Sequence, residues 1–475
     1  MRILLIQNWQ GHHGVSEQLV FPIGLSCLAT ALERAGHEPW IVHLDASDEP
    51  PWERLEREIH RFQPEVIGVS QRNIDSTTRK APFVFHTELR QALATIRAAA
   101  PDVPVVLGGP GFTQAGRMMM ERYGYDLGVQ AEGEETFVEL LAKLSSPQDV
   151  RGVYWRDQTG VVHYTGDPPM PAFSDLPYPK RSFLDWDLYR SAHRERGQIL
   201  DLGIETTRGC PRRCAYCNYP KLNGTSLRSK PVDVVLDEIE YLQREFDVRQ
   251  FTFTDSRFNE DPARARAICE GLIRRGVKAR WIAWLGFRGV DADFLRLMNR
   301  AGCHRVSFSP DGLLAPSLAR MRKDTTKQEI LATVRAVRKV RGIRANWSFF
   351  ATPPSTSHRE QLEYLALYAR IHGTTLARGR MTLTWCRVEE GTHFETIARE
   401  DGVLPPGVDL LPEDPALLDQ LFYIAPGFEG WSQFWDRFLD LEMQSRIALG
   451  RATRPLRRFG MRDLTPAHKR GKPSA

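Results

Sequence analysis

Three cysteines share one short segment, Glu205-Thr-Thr-Arg-Gly-Cys210-Pro-Arg-Arg-Cys214-Ala-Tyr-Cys217. Three thiolates on one loop can hold three irons of a cubane iron-sulfur cluster and leave the fourth iron without a protein ligand. Such an open iron is a place where a substrate can chelate. The alternative, a structural zinc site, wants four ligands, usually in paired C-x2-C spacing, and the sequence contains no second pair. Cys27, Cys269, Cys303 and Cys386 are scattered, so the seven cysteines read as a metal site plus isolated thiols rather than as a disulfide framework.

The cysteine loop must be carried by something, and the flanking pattern says what. From residue 200 onward, short apolar runs at 202–204, 250–253, 280–284, 305–308, 346–350 and 380–385 alternate with amphipathic stretches at 232–246, 262–275, 291–301, 327–341 and 359–371. Six β/α units of this kind predict a partial parallel barrel, a (β/α)6 arrangement whose loops after the strands carry the site. The cysteine loop directly follows the first of these strands.

A second alternation precedes it. Runs at 2–6, 40–44, 66–69, 105–107 and 127–129, with helical stretches at 24–35, 52–62, 83–99 and 135–144, predict a doubly wound, Rossmann-like parallel sheet over residues 1–150. Its strands end in Gly, Ser, Asn or Asp, on the edge where such sheets bind ligands. Gly108-Gly109-Pro-Gly111 after the fourth strand and Glu132-Gly-Glu134 after the fifth are candidate ligand-approach segments, since glycine admits a close backbone contact. Residues 151–199 break the rhythm with a hairpin and five prolines between Pro168 and Pro179, which predicts a linker. The barrel is expected over 200–395 and a mainly helical segment with a basic tail over 396–475.

Composition bounds the rest. The 475 residues are 42% hydrophobic and 26% charged, which excludes a wholly disordered, collagen-like or coiled-coil chain. No run approaches the ~18 to 20 apolar residues of a membrane span, and residues 1–8 read as a strand rather than a signal peptide. A cytoplasmic protein is expected. The last 25 residues carry a charge of +7 (Arg451, Arg454, Arg457, Arg458, Arg462, Lys469, Arg470 and Lys472 against Asp463), within a net +5 for the chain. With Phe459 alone as a stacking residue, this tail reads as a solvated terminus, and no nucleic-acid partner is expected.

At the cysteine loop the chain resembles the radical S-adenosylmethionine superfamily, whose signature is this C-x3-C-x2-C with an aromatic residue, here Tyr216, before the third cysteine. The resemblance implies a [4Fe-4S] cluster on Cys210, Cys214 and Cys217 with S-adenosylmethionine chelated to the open iron. It implies cleavage of that molecule to a 5′-deoxyadenosyl radical by one electron from an external flavodoxin- or ferredoxin-type donor. Phe253-Thr-Asp255 resembles the family's second-strand segment and Ser307-Phe-Ser309-Pro-Asp-Gly312 its fourth-strand segment, so Tyr216, Asp255, Ser307 and Ser309 are expected near S-adenosylmethionine. Asp255 is read either as a ligand of that molecule or as a helix cap.

The order of segments, with Arg387-Val-Glu-Glu-Gly391-Thr-His-Phe closing the barrel, is similar to that of cobalamin-binding radical S-adenosylmethionine enzymes. The resemblance implies cobalamin on the first sheet, with Gly108, Gly109, Gly111 and Glu132 in its site. The Asp-x-His-x-x-Gly motif that supplies a cobalt-ligating histidine is absent; Gly11-His12-His13-Gly14 lacks its aspartate and spacing. The lower face of cobalt is then expected to meet Gln71, Arg72 and Asn73. The arginine cannot ligate as a neutral donor, and would disfavour a lower water ligand.

The activity so implied is methylation of an unactivated carbon, or of phosphorus, in a natural product, peptide or lipid precursor, at a mouth where the sixth strand ends in Trp385 and Cys386. Strand alternation lets only one of these face inward, Cys386 reads as buried core, and Trp431, Phe434 and Trp435 read as core more readily than as an aromatic wall. Some relatives instead use cobalamin for ring contraction or cyclisation. An iron-sulfur and cobalamin-binding regulator, an enzyme with a vestigial first domain, and a tRNA-modifying enzyme are the remaining readings. No small β-barrel RNA-binding domain is expected after residue 410.

Overall fold

The computed structural model describes residues 1–11, 19–80, 82–372 and 379–457, with side chains described as far as residue 444. His12, His13 and Gly14 and the charged side chains of the basic tail lie outside these. The chain divides into two compact units, Met1–Arg213 with Cys217–Trp281 and Asp409–Asp419, and Cys214–Tyr216 with Ile282–Val408 and the residues from Gln420 onward.

The strands in chain order are β1 (Arg2–Gln7), β2 (Glu38–His43), β3 (Val66–Ser70), β4 (Val105–Gly108), β5 (Leu127–Val129), β6 (Val153–Arg156) and β7 (Val162–Tyr164). Then follow β8 (Asp201–Ile204), β9 (Thr207–Arg208), β10 (Arg228–Ser229), β11 (Gln250–Phe253), β12 (Arg280–Trp284), β13 (Cys303–Asp311), β14 (Arg344–Phe350) and β15 (Gly379–Thr384).

In the first unit the sheet order is β2-β1-β3-β4-β5-β6-β7. The first five strands are parallel, as the alternation predicts. Leu4, Ile6, Ile67, Val69 and Leu107 from them, all at most 2% exposed, pack with Leu55, Ile96 and Phe112 into one apolar core. The hairpin does more than begin a linker: β6 pairs antiparallel with β5 and extends the sheet. That covers the hydrogen-bonding edge that β5 would otherwise leave bare.

Local chemistry sets several boundaries. Pro110 and Gly111 lie not in a loop but in the first turn of a helix, Pro110–Tyr123, entered through Gly109 at φ 95°. Proline suits that first position, where an N–H would have no partner. The helix expected from residue 83 begins at Glu88, because residues 75 and 84 form a bridge first. Within the expected linker, Asp185 caps a helix, Trp186–Glu195, by accepting from the Leu188 N–H at 2.9 Å. Residues 409–419, expected as part of the last segment, pack on the first unit: Leu411 is 1% exposed in its core, Arg90 bonds Glu413 and Arg122 bonds Asp409.

Among the later strands, β11 pairs parallel with β8 in the first unit, and β13, β14 and β15 pair parallel in that order in the second. Alternation is strict on β14, where Ala345, Trp347 and Phe349 are buried while Asn346, Ser348 and Phe350 are partly exposed. β13 is longer than its apolar run, reaching Asp311 through an irregularity after Phe308.

Candidate functional site

The cysteine loop begins where β8 ends. Thr206 and Thr207 are held by Asp255, which follows β11: its Oδ1 accepts the Thr206 and Thr207 N–H groups at 2.7 and 2.9 Å, and its Oδ2 accepts the Thr206 hydroxyl at 2.6 Å. Asp255 is 3% exposed, and burial pushes its carboxyl up to about 6 against those three donors. It caps no helix; the structure uses it to fasten the stretch ahead of the cysteines.

Next comes Arg208 on β9, paired antiparallel with β10. Its guanidinium is 5% exposed and donates to Glu205 at 2.9 Å, Glu132 at 3.0 Å and Glu134 at 2.7 Å, with Phe173 stacked 4.7 Å away. Glu132, expected beside cobalamin, is therefore occupied otherwise: it receives Arg208, both amino groups of Arg228, and Asn223. Burial raises its carboxyl, but the Arg228 bond and the Arg208 charge outweigh that and hold it below the usual range.

Gly209 then turns the chain at φ 83°, where a Cβ would collide with the Ser226 carbonyl oxygen. The Cys210 N–H donates to the Gly224 carbonyl at 3.1 Å. None of the seven cysteines is joined in a disulfide; Cys210 is buried, Cys214 and Cys217 are partly exposed, and the Tyr219 N–H points at Cys217 Sγ at 3.4 Å. Three thiols on one pinned loop, one of them met by a backbone N–H, suit the thiolate donor set of an iron-sulfur cluster. No group of three His, Cys, Asp or Glu side chains among the described residues is gathered as a ready metal site.

In the second unit Tyr216 is fixed at its hydroxyl, which donates to Asp311 and receives Lys323 Nζ at 3.1 Å, with Phe350 edge-on at 5.0 Å. Lys323 also donates to Asp311 Oδ2 at 2.6 Å and the Ser309 carbonyl at 2.9 Å. Ser307 and Ser309 are partly exposed, opposite in alternation to the buried Val306 and Phe308. Sequence reading missed Asp311 and Lys323 as partners of Tyr216. Asp311 stood inside the quoted Ser-Pro-Asp-Gly segment, but nothing local marked Lys323.

At the first sheet's edge, Gly109 and Gly111 make room for the protein's own backbone: a Cβ on Gly109 would lie 2.7 Å from the Gln71 carbonyl oxygen, and one on Gly111 3.0 Å from it. Gln71 is fully buried, accepting from Asn8 at 2.8 Å and donating to the Asn73 carbonyl at 2.5 Å. Arg72 and Asn73 stay exposed. The close approach expected for a ligand thus belongs to the loop after β3, which the glycines seat. Polar capacity remains along this edge, since the buried Asn8 Oδ1 after β1 and Gln130 Oε1 after β5 have no hydrogen-bond partner. Unpartnered acceptors at strand ends suit a large polar cofactor there.

Cys386, read as buried core, is 5% exposed, and Trp385 beside it, at the end of the sixth strand, is buried as well. The Trp385 indole donates to Ser432 at 2.8 Å, and Trp435 is fully buried on Gln361 at 2.6 Å. These are packing residues, because an indole N–H away from water needs a partner. Of the aromatic group, Phe434 is exposed and Trp431 partly so, bonded to His358.

The B12 binding domain family matches residues 13–141, and the Radical SAM superfamily matches residues 204–366. An uncharacterized methyltransferase of Pyrococcus horikoshii is 26% identical over 74% of this chain and 73% of its own. The anaerobic magnesium-protoporphyrin IX monomethyl ester cyclase of Rubrivivax gelatinosus is 24% identical over 65% of this chain, which spans only 55% of that protein. Among solved structures, TsrM of Kitasatospora setae, a radical S-adenosylmethionine methyltransferase with cobalamin and a [4Fe-4S] cluster bound, superposes with a TM-score of 0.72 at 22% identity, over 90% of this chain and 84% of that one. The chain belongs to the cobalamin-binding radical S-adenosylmethionine enzymes. Its cofactors are those the two matched domains define, cobalamin for the first and a [4Fe-4S] cluster with S-adenosylmethionine for the second. No helix among the described residues is long and apolar enough to cross a membrane.

Proposed function

We propose that this enzyme transfers a methyl group from S-adenosylmethionine, by way of cobalamin, to an unactivated carbon or to phosphorus of a natural product, peptide or lipid precursor. The observation that carries the reading is the presence on one chain of a pinned three-thiol loop and a sheet edge with unpartnered buried acceptors. When bound, the cluster and S-adenosylmethionine supply a radical able to remove unactivated hydrogen, and cobalamin supplies a transferable methyl group.

The chain's own residues bind and orient. Cys210, Cys214 and Cys217 are the thiolate donors. Asp255 and Arg208 hold the strand end from which they spring. Tyr216, braced by Asp311 and Lys323, and Ser307 and Ser309 on β13 line the S-adenosylmethionine site. Gly108, Gly109 and Gly111 seat the loop of Gln71, Arg72 and Asn73, whose exposed arginine would lie against bound cobalamin and disfavour a water ligand there. The functional division is residues 1–150 for cobalamin, 151–199 as connection, 200–395 for radical generation and 396–475 as closing segment. The electron comes from a flavodoxin- or ferredoxin-type donor, and the setting is cytoplasmic.

The cyclase relative favours a second reading, in which cobalamin serves a ring-forming or rearranging reaction. The deciding experiment uses anaerobically reconstituted protein with hydroxocobalamin, a strong reductant and S-adenosylmethionine labelled in its methyl group. Label on the protein-bound corrinoid, with S-adenosylhomocysteine released, supports methyl transfer. Unlabelled bound corrinoid with 5′-deoxyadenosine accumulating supports the second reading, and failure to retain any corrinoid overturns both.

A further inference from the structure

We propose that Arg208 is a positioning residue through which the turn after β5, in the cobalamin-binding part of the chain, sets where Cys210 enters the cluster; the inference rests on the functional reading above. Arg208 lies two residues before Cys210, yet two of its three carboxylate partners, Glu132 and Glu134, come from 76 and 74 residues earlier. These two carboxylates sit at the start of the helix Gly133–Ala142, directly after the edge that β5 presents.

The turn that bears them is itself fixed to that edge. The Ala131 N–H donates to the Thr113 hydroxyl at 3.0 Å, Gln130 Nε2 donates to the Thr113 carbonyl at 3.1 Å, and Thr113 belongs to the helix entered through Gly109. From the other side Arg228, on β10, grips Glu132 and the Asn223 carbonyl, while Gly209 and Cys210 rest on Ser226 and Gly224. A continuous set of bonds therefore runs from the first sheet's edge to the segment bearing the first cysteine, with Arg208 joining Glu132 and Glu134 to Glu205.

Burying a guanidinium among carboxylates seldom adds net stability over apolar packing, so its retention at 5% exposure is better spent on register. Only the planar fork can face three carboxylates at once, and lysine cannot reproduce it. A loose loop would cost cluster geometry rather than global stability.

The test compares full-length wild type with Glu132→Gln, Glu134→Gln, Arg208→Lys and Arg208→Gln. Hydrogen exchange of residues 205–217 is measured first on metal-free protein. The glutamine variants are expected to exchange there about five-fold faster, as loss of a charged hydrogen bond implies, with β1 and β3 unchanged. After anaerobic reconstitution, iron per chain and the electron paramagnetic resonance of the reduced cluster are recorded with and without S-adenosylmethionine. Arg208→Lys is expected to hold about half the wild-type iron and to lose the spectral change on adding S-adenosylmethionine, while still binding cobalamin. Wild-type exchange and wild-type spectra in both glutamine variants would overturn the proposal. If Arg208→Gln does not fold, the nearly isosteric Glu134→Gln decides. If wild type itself shows no response to S-adenosylmethionine, the functional reading fails, while the exchange comparison still judges Arg208.

Discussion

Lys323 Nζ lies 2.6 Å from Oδ2 of Asp311, with the two side chains 4% and 6% exposed. This ion pair braces the hydroxyl of Tyr216, the aromatic residue that precedes Cys217. Lys323→Met leaves a buried carboxylate without its counter-ion, and the expected loss is roughly 3 to 5 kcal/mol by urea unfolding. Tyr216→Phe removes one hydroxyl from the same group and is expected to cost only about 1 kcal/mol, while weakening S-adenosylmethionine binding measured by calorimetry. Equal losses for the two variants would refute the bracing role.

Asp255 serves Thr206 and Thr207, three donors on one carboxylate. Asp255→Ala orphans two buried N–H groups and a hydroxyl, with an expected cost of about 2 to 3 kcal/mol and a fall in iron bound on reconstitution. A variant that keeps wild-type iron would show that the cysteine loop does not depend on this anchor.

Two glycines are expected to be irreplaceable for different cofactors. Gly209→Ala forces a left-handed alanine into the Ser226 carbonyl and should cost roughly 2 to 4 kcal/mol, with loss of most bound iron. Gly109→Ala, also left-handed, presses on the Gln71 carbonyl and the Ser70 hydroxyl and should weaken cobalamin retention on gel filtration while sparing iron. The reverse assignment of iron and cobalamin losses would refute the division of labour between these loops.

His193 packs against Tyr189 with neither ring nitrogen bonded, and burial pushes its imidazole down to about 4. The unfolded chain takes up this proton near pH 6.5 and the folded chain only near 4, so the histidine's contribution is whole above pH 6.5 and lost as pH falls through 4. His43, bonded to the Val20 carbonyl and pushed down to about 3, behaves alike, whereas the neighbouring Asp45, raised by burial to about 6, acts in the opposite sense. The positive groups around this cluster are Arg54, Arg72 and Arg196. His193→Gln should therefore narrow its stability deficit against wild type between pH 7.5 and 4.5, followed by urea unfolding; a pH-independent difference would show that the imidazole is not buried neutral.

Much of the architecture was legible because it rests on local periodicity. Apolar runs of three to six residues separated by amphipathic helices mark β1 to β5, β11, β12, β14 and β15 within a residue or two, while β13 extends three residues past its run. The cysteine loop was legible because thiolate spacing is itself the chemistry. The antiparallel addition of β6 and β7, and the packing of Leu411 into the first core, were not, since both depend on an edge or groove that exists only once the sheet has formed.

The sequence by itself determined the two β/α alternations, the three thiols and the glycine-bearing strand ends, all encoded within stretches of a few residues. Only the tertiary structure decided what the charged groups do. Glu132 turned from a cofactor residue into a partner of Arg208 and Arg228, Asp255 from a helix cap or ligand into an anchor for Thr206, and Lys323 emerged beside Tyr216, 107 positions away. A buried charge must find its counter-charge wherever the fold places one, and that partner leaves no trace in the spacing of the residues around it.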